Sequence, residues 1–221
     1  MGRRRTAVLI SGSGSNLQAL LDATARPDAS ARIELVISNR AGVLGLERAA
    51  RAGVPTRVVA HGSYADRSAF DAAIDSALAE AGIELVCLAG FMRLLTPGFV
   101  ERWRDRLLNI HPSLLPSFRG LHPQAQALAA GVQVAGCTVH MVRAETDAGP
   151  IILQGLVPVL PGDTPDTLGA RILEVEHRCY PRALELVASG RARVEAGRVV
   201  VRDQLPEERM LLHPLLGKGE G

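Results

Sequence analysis

Two polar side chains, one residue apart, are the first candidates for chemistry. Asn109 and His111 flank Ile110 in a short run that begins with Leu107 and Leu108. In a β-strand the side chains of residues i and i+2 leave from the same face. An amide donor and an imidazole aimed at one point can stabilise the oxyanion of a tetrahedral intermediate, so the pair indicates acyl-transfer chemistry. A histidine at a strand end is also common as ordinary structure.

A possible partner for His111 is Asp147, which lies in the turn-like sequence Thr146–Pro150. A neighbouring carboxylate favours the imidazolium form of histidine and so makes it a better donor or acid. The simpler alternative is that Asp147 only serves the turn, where aspartate is frequent.

The sequence Ser11–Asn16 predicts an anion site. It follows an apolar run and precedes a helical pattern of leucines, so free backbone N–H groups and the positive end of a helix would meet there. A dinucleotide fingerprint would need a third glycine where Leu17 stands, and no Gly-Lys-Ser/Thr follows. These observations favour a monophosphate, with a ligand-free tight turn as the alternative.

The elements that would position these groups alternate between short apolar strands and helices, which predicts an α/β fold. Leu85–Gly90 is apolar throughout, as is typical of a strand buried on both faces of a parallel sheet. We expect one domain over residues 1–204, with a mostly parallel, twisted sheet, helices on both faces and a small hairpin at 193–201. Residues 205–221 are expected to form a tail.

Composition excludes several classes of function. Only 3% of the 221 residues are aromatic and the formal net charge is +2, so neither base stacking nor binding of duplex nucleic acid is expected. The three cysteines are widely spaced, which argues against a disulfide scaffold or a zinc site. No segment approaches the length of a membrane span or of a signal-peptide core, and we therefore expect a cytoplasmic protein without a membrane partner.

Several segments together resemble the phosphoribosylglycinamide formyltransferase family, over roughly residues 6–204. The Asn-x-His-Pro-Ser-Leu-Leu-Pro sequence is shared by folate-dependent formyltransferases generally, whereas Ser-Gly-Ser-Gly-Ser-Asn points to the branch that acts on a ribonucleotide. The segments occur in the family's order and are Ile10–Gln18, Ile37–Arg40, Leu88–Leu95, Leu108–Pro116 and Asp147–Gln154.

The resemblance implies a reaction and a fold. The formyl group of 10-formyltetrahydrofolate would pass to the amine of 5'-phosphoribosylglycinamide, in purine synthesis and without a metal. The partners would be these small molecules, with no nucleic acid, and the protein would be a monomer or a homodimer. A Rossmann-like formyltransferase domain would comprise a mononucleotide-binding half, 6–105, and a catalytic and folate half, 106–204.

The resemblance also implies residue roles. The catalytic residues would be Asn109, His111 and Asp147. The ribonucleotide would contact Gly14, Ser15, Asn16 and Glu176. Formyl folate would contact Arg67, Met92, Arg93, Leu94 and Leu95 as well as Asn109. His122 and His140 match family histidines near the site, whereas Ser117–Arg119 and Pro123–Gln124 depart from the usual pattern and leave the shape of that loop open.

Other functions stay open at this stage. The acceptor could be another amine, such as an aminoacyl-tRNA or an amino sugar, or the chain could hydrolyse formyl folate. The tRNA-acting relatives carry an additional C-terminal domain and the hydrolases an N-terminal one. With a first strand at Ala7 and about 20 residues after the last predicted strand, we expect neither. A non-catalytic mononucleotide-binding module would not require all three of Asn109, His111 and Asp147.

Overall fold

The computed structural model describes residues 2–202, and its main sheet has seven strands in the order β3-β2-β1-β4-β5-β6-β7. The first five strands in this order are parallel, and β6 and β7 run antiparallel to their neighbours. The predicted fold class is therefore confirmed. The strands are β1 Arg4–Ile10, β2 Ala31–Ser38, β3 Thr56–Val58, β4 Leu85–Leu88, β5 Leu107–His111, β6 Val134–Met141 and β7 Ile151–Pro158.

Helices cover both faces of this sheet, and a small antiparallel hairpin follows the last helix. Within residues 2–202 no helix is long and apolar enough to cross a membrane. The helices are α1 Ser15–Thr24, α2 Leu44–Arg51, α3 Arg67–Glu80, α4 Pro97–Arg102, α5 Pro123–Ala129 and α6 Pro165–Ala188, with a short 3-10 turn at His61–Ser63, and the hairpin strands are β8 Ala192–Glu195 and β9 Arg198–Val201.

The central strand shows why the sheet needs two layers of helices. Val8 and Ile10 of β1 face one apolar cluster, which includes residues of α1 and α6, whereas Ala7 and Leu9 face another, which includes residues of α3 and α4. All four side chains are fully buried. A strand buried on both faces has a continuously apolar sequence, as β1 does from Ala7 to Ile10.

The site is positioned by the carboxyl ends of β1, β4 and β5. Strand order reverses between β1 and β4, and in open α/β sheets ligands bind outside the carboxyl ends of the strands at such a switch point. The loops that leave these ends contain the glycine-rich segment, the segment 89–96 and the loop after His111.

One expectation about α6 is wrong in part. The sequence predicts that Pro181 kinks or divides this helix, but α6 is a single helix of 24 residues that contains Pro181. The preceding residue, Tyr180, is fully buried, and its hydroxyl donates to the backbone oxygens of Leu88 and Leu108 at 2.9 and 3.2 Å. Next to the proline, which cannot donate a backbone hydrogen bond, the helix is thus tied to β4 and β5 through Tyr180.

The predicted division into halves at 105/106 stays a prediction, and so does the exact extent of the domain. Residues 203 and 204 and the expected tail, 205–221, lie outside the described residues.

Candidate active site

Asn109 is held by a neighbour on the adjacent strand. It pairs in register with His140 of β6, and its Nδ2 lies 3.2 Å from His140 Nε2. The other ring nitrogen, Nδ1, lies 3.1 Å from the carbonyl oxygen of Met141, which can only accept. Nδ1 is therefore the protonated nitrogen, and Nε2 accepts from the Asn109 amide. Burial lowers the pKa of His140, which keeps the ring neutral and the amide of Asn109 in one orientation.

His111 lies between two hydrogen-bond acceptors. Its Nε2 is 3.1 Å from the backbone oxygen of Phe118, and its Nδ1 is 3.5 Å from Asp147 Oδ2. Only a ring protonated on both nitrogens can donate to both groups. Both acceptors lie against a ring that is 7% exposed. Phe118 belongs to the segment that departs from the family pattern, and its φ of 55° turns its carbonyl toward the histidine.

Asp147 is fixed by the turn that follows β6. Its φ is 53°, and its Oδ2 accepts from the backbone N–H of Gly120 at 3.0 Å. Its Oδ1 lies 3.9 Å from His140 Nε2. The turn packs so closely on β6 that a Cβ on Gly149 would lie 1.6 Å from the Met141 oxygen. Any side chain at Gly149 would therefore displace the turn and the carboxylate with it.

The glycine-rich loop leaves the N-terminus of α1 open. Gly14, with a φ of 69°, precedes the helix, and no side chain caps it. The first N–H groups of a helix have no partner within it, so an uncapped N-terminus is suited to an anion. A Cβ on Gly14 would lie 2.7 Å from the Cα of Gly45, which requires glycine at this contact between the loop and α2.

Two residues predicted to contact the ribonucleotide touch each other. Asn16, on the first turn of α1, donates through Nδ2 to Glu176 Oε2 of α6 at 2.7 Å. Both are buried, and burial raises the pKa of Glu176, while the hydrogen bond from Asn16 opposes the shift. The contact ties the loop to α6 and places a carboxyl group beside the N-terminus of α1.

The segment predicted to contact folate has irregular backbone between β4 and α4. Met92 and Leu94 are 72% and 62% exposed, whereas Leu95 packs against the apolar cluster of α3 and α4. The guanidinium of Arg93 lies 5.7 Å from the centre of the Phe70 ring. Arg67 is exposed at the first position of α3, three residues before Phe70.

The family of this chain follows from its similarity to known proteins. The sequence profile described as "Formyl transferase" matches residues 4–184. The chain belongs to the formyl transferase family.

Relatives refine this assignment within the formyl transferase family. The phosphoribosylglycinamide formyltransferase of Escherichia coli K12 is 44% identical over 187 residues, which are 85% of this chain and 88% of that protein. The human trifunctional purine biosynthetic protein adenosine-3 is 58% identical over 188 residues, 85% of this chain. The chain spans only about a fifth of that protein (19%). The resemblance to phosphoribosylglycinamide formyltransferases predicted from the sequence is confirmed.

Solved structures agree with the sequence relatives. A glycinamide ribonucleotide transformylase from Symbiobacterium toebii has a TM-score of 0.87 at 53% identity, covering 90% of this chain and 94% of that one. A formyltetrahydrofolate deformylase from Pseudomonas syringae has a TM-score of 0.83 at 28% identity, covering 90% of this chain and 66% of that one. The formyl transferase fold is thus shared by a transferase and a deformylase.

The sequence did not reveal how this formyl transferase holds its polar residues together. His140 orients Asn109, but its place became visible only through the antiparallel register of β5 and β6. His122, which also matched a family histidine, is exposed before the first residue of α5. Among residues 2–202 no group of three or more histidines, cysteines and acidic residues is arranged to hold a metal ion. The predicted absence of a metal requirement stays a prediction.

Proposed function

We propose that this formyl transferase passes the formyl group of 10-formyltetrahydrofolate to the amine of 5'-phosphoribosylglycinamide. The products are 5'-phosphoribosyl-N-formylglycinamide and tetrahydrofolate, as in purine biosynthesis. The observation that carries the proposal is a pair of side-chain contacts, Asn109 with His140 and His111 with Asp147, on the neighbouring strands β5 and β6 and the turn that follows β6. These contacts bring an amide, a carboxylate and an imidazole to the same end of the sheet as the glycine-rich loop.

The reaction is a direct transfer. The amine nitrogen attacks the formyl carbon, and the carbonyl oxygen of the formyl group becomes an oxyanion. Asn109, with its amide oriented by His140, donates to this oxygen. His111 donates to it as well, and the oxyanion replaces the Phe118 carbonyl as the acceptor for Nε2. The bond between the formyl carbon and N10 of the folate then breaks.

The amine proton must reach the folate nitrogen as that bond breaks. Asp147 is placed to receive this proton through a water molecule, and it holds the positive charge of His111 during the transfer. Its hydrogen bond from the Gly120 N–H keeps one carboxylate oxygen directed into the site. Asp147 thus stabilises the charge on His111 and also takes part in the proton relay.

A covalent formyl-cysteine intermediate is not part of this proposal. Cys87 and Cys137 are fully buried in strands. Burial raises the pKa of Cys87 to about 12, and contact with the Cys179 thiol together with burial raises the pKa of Cys137 well above its ordinary value. A thiol that stays protonated is a poor nucleophile.

The substrates occupy two loops in this proposal. The phosphate lies against Gly14, Ser15 and Asn16 at the open N-terminus of α1, and Glu176 contacts the ribonucleotide beside it. Formyl folate lies along Met92–Leu95, with Arg67 at the edge. Since aromatic residues are scarce, backbone and aliphatic side chains such as Leu95 form the wall of the pterin pocket.

Two alternative reactions share this chemistry. Another amine could be the acceptor, or water could take its place, as in the deformylase that this chain resembles at 28% identity. The higher identity to the Escherichia coli phosphoribosylglycinamide formyltransferase, 44%, favours the ribonucleotide. The proposal also retains a cytoplasmic monomer or homodimer that needs no metal and binds neither nucleic acid nor membrane.

A spectrophotometric assay tests the reaction. The protein is mixed with 10-formyltetrahydrofolate, with and without 5'-phosphoribosylglycinamide, and the absorbance of the folate is followed. We expect deformylation that depends on the ribonucleotide and yields the N-formyl product. Deformylation without the ribonucleotide would identify a hydrolase, and no deformylation under either condition would require a different acceptor.

A further inference from the structure

The segment Met92–Thr96 is held only in part by its own side chains, because Arg93 and Leu95 contact the apolar side of α3 and α4 but their neighbours do not. Met92 and Leu94 are largely exposed, and the backbone forms neither helix nor strand until α4 begins at Pro97. A segment with few buried apolar contacts opens at low free-energy cost unless its backbone is bonded elsewhere. A ligand that binds this segment therefore depends on whatever fixes the backbone.

Two buried side chains supply such bonds. Ser11, 5% exposed at the end of β1, accepts from the backbone N–H of Met92 through Oγ at 2.8 Å. Asp71, 3% exposed in α3, accepts from the backbone N–H of Thr96 through Oδ2 at 2.6 Å. Hydrogen bonds to a carboxylate are shorter and stronger than neutral ones. The two bonds hold both ends of the segment, and they come from different elements.

The second oxygen of Asp71 suggests that stability alone does not account for this residue. Oδ1 is buried and has no hydrogen-bond partner. A buried carboxylate with an unsatisfied oxygen costs free energy that an apolar side chain at the same place would avoid. Natural proteins accept such local costs mainly where a site has to be held in one geometry.

We propose that Ser11 and Asp71 are positioning residues for formyl folate, because they fix the backbone of Met92–Thr96 against which the folate binds. This inference rests on the proposed function, in which that segment forms part of the folate site. Neither side chain is proposed to touch the folate. Each acts through the backbone N–H group that it accepts from.

The chain offers a matched control in Asp75, one helical turn after Asp71. Its Oδ1 accepts from Trp103 Nε1 at 3.0 Å and its Oδ2 pairs with Arg102 at 3.2 Å, so it binds the region of α4 and not the segment. The variants Asp71→Ala, Asp71→Asn, Ser11→Ala and Asp75→Ala are compared. KM is measured for both substrates, and the Kd of tetrahydrofolate is measured by equilibrium titration.

We expect Asp71→Ala to raise the KM for formyl folate and the Kd for tetrahydrofolate about tenfold, and Ser11→Ala to raise both about threefold. The KM for the ribonucleotide should change less than about twofold in each variant. Asp71→Asn should have a KM and a Kd for the folates close to those of the wild type, because its amide oxygen can still accept from the backbone N–H of Thr96. Asp75→Ala should lower the thermal stability and leave the folate constants unchanged.

Equal increases in the two KM values, or a folate effect of Asp75→Ala as large as that of Asp71→Ala, would overturn the inference. If Asp71→Ala does not fold, an unchanged Kd in Ser11→Ala overturns it as well. The titration needs no acceptor, so it separates this inference from the proposed reaction. A wild-type protein that binds tetrahydrofolate without transferring formyl to the ribonucleotide refutes only the reaction, whereas one that binds no tetrahydrofolate refutes the positioning role too.

Discussion

Asn109, His111 and His140 form a polar cluster on β5 and β6, with Asp147 beside it. This cluster and the segment Met92–Thr96 are held in opposite ways. In the cluster, side chains are bonded to one another and sit on paired strands, and His111 and His140 are 7% and 2% exposed. In the segment, Met92 and Leu94 are exposed and the bonds that hold it reach its backbone. The proposed reaction depends on the positions of side-chain atoms in the cluster, whereas the proposed folate surface depends on the position of the backbone of the segment. Substitutions in the cluster should therefore change kcat, and those around the segment should change KM.

The largest effect is expected for Asn109→Ala. Removing one oxyanion donor lowers kcat by about 10²–10³-fold, while the KM values for both substrates should change little. Single-turnover kinetics measure the chemical step directly, and circular dichroism checks the fold. Turnover close to that of the wild type would remove Asn109 from the mechanism.

His140→Ala should have the next largest effect, about a tenfold decrease in kcat with unchanged KM values. The Asn109 amide would lose the acceptor that orients it. His140→Gln offers a rescue, because its side-chain oxygen can accept the same bond. If both variants raise the KM for folate instead, the division between the cluster and the segment does not hold.

The pH dependence of stability should separate the two regions further. Burial lowers the pKa of His140, so between about pH 6.5 and its lower folded value the unfolded chain binds more protons than the native one. The contribution of His140 to stability is therefore present above pH 6.5 and is lost as the pH falls toward the folded value. The slope for one proton is at most about 1.4 kcal/mol per pH unit.

Urea denaturation from pH 5 to pH 8 measures this slope. The free energy of unfolding should fall more steeply toward low pH in the wild type than in His140→Ala, and Met92→Ala should follow the wild type. Identical slopes in wild type and His140→Ala would show that His140 does not titrate differently in the folded protein.

The smallest effect is expected for Met92→Ala. The side chain is 72% exposed, and the backbone N–H that Ser11 accepts from is unchanged. We expect the KM for formyl folate to rise less than about threefold, with kcat and thermal stability near wild type. Steady-state kinetics with varied folate test this. A large decrease in kcat would show that this side chain takes part in the reaction. It would contradict the expectation that substitutions in the segment change only KM.

What the sequence could predict depended on local geometry. The spacing of Asn109 and His111 predicts a shared strand face, and the glycine-rich loop predicts an open helix N-terminus, because both patterns lie within one short segment. The turn sequence offers Asp147 as a possible partner for His111, and the structure brings the two within 3.5 Å. Their catalytic roles stay predictions.

The remaining features depend on contacts between distant segments. His140 meets Asn109 through the register of an antiparallel pair, and Asp71 meets Thr96 because α3 packs beside the loop. No spacing in the sequence encodes either contact. Pro181 shows the converse, since its local preference against a helix interior does not end α6, which continues through it.

Ser11 is the first residue of the glycine-rich loop after β1, and its hydroxyl accepts from the backbone of the segment Met92–Thr96. In the proposed function, the segments that bind the two substrates are thus connected directly at the end of one strand. A transfer between two bound molecules requires reacting atoms about 3–3.5 Å apart. A direct hydrogen bond between the two proposed binding segments helps to keep that distance constant.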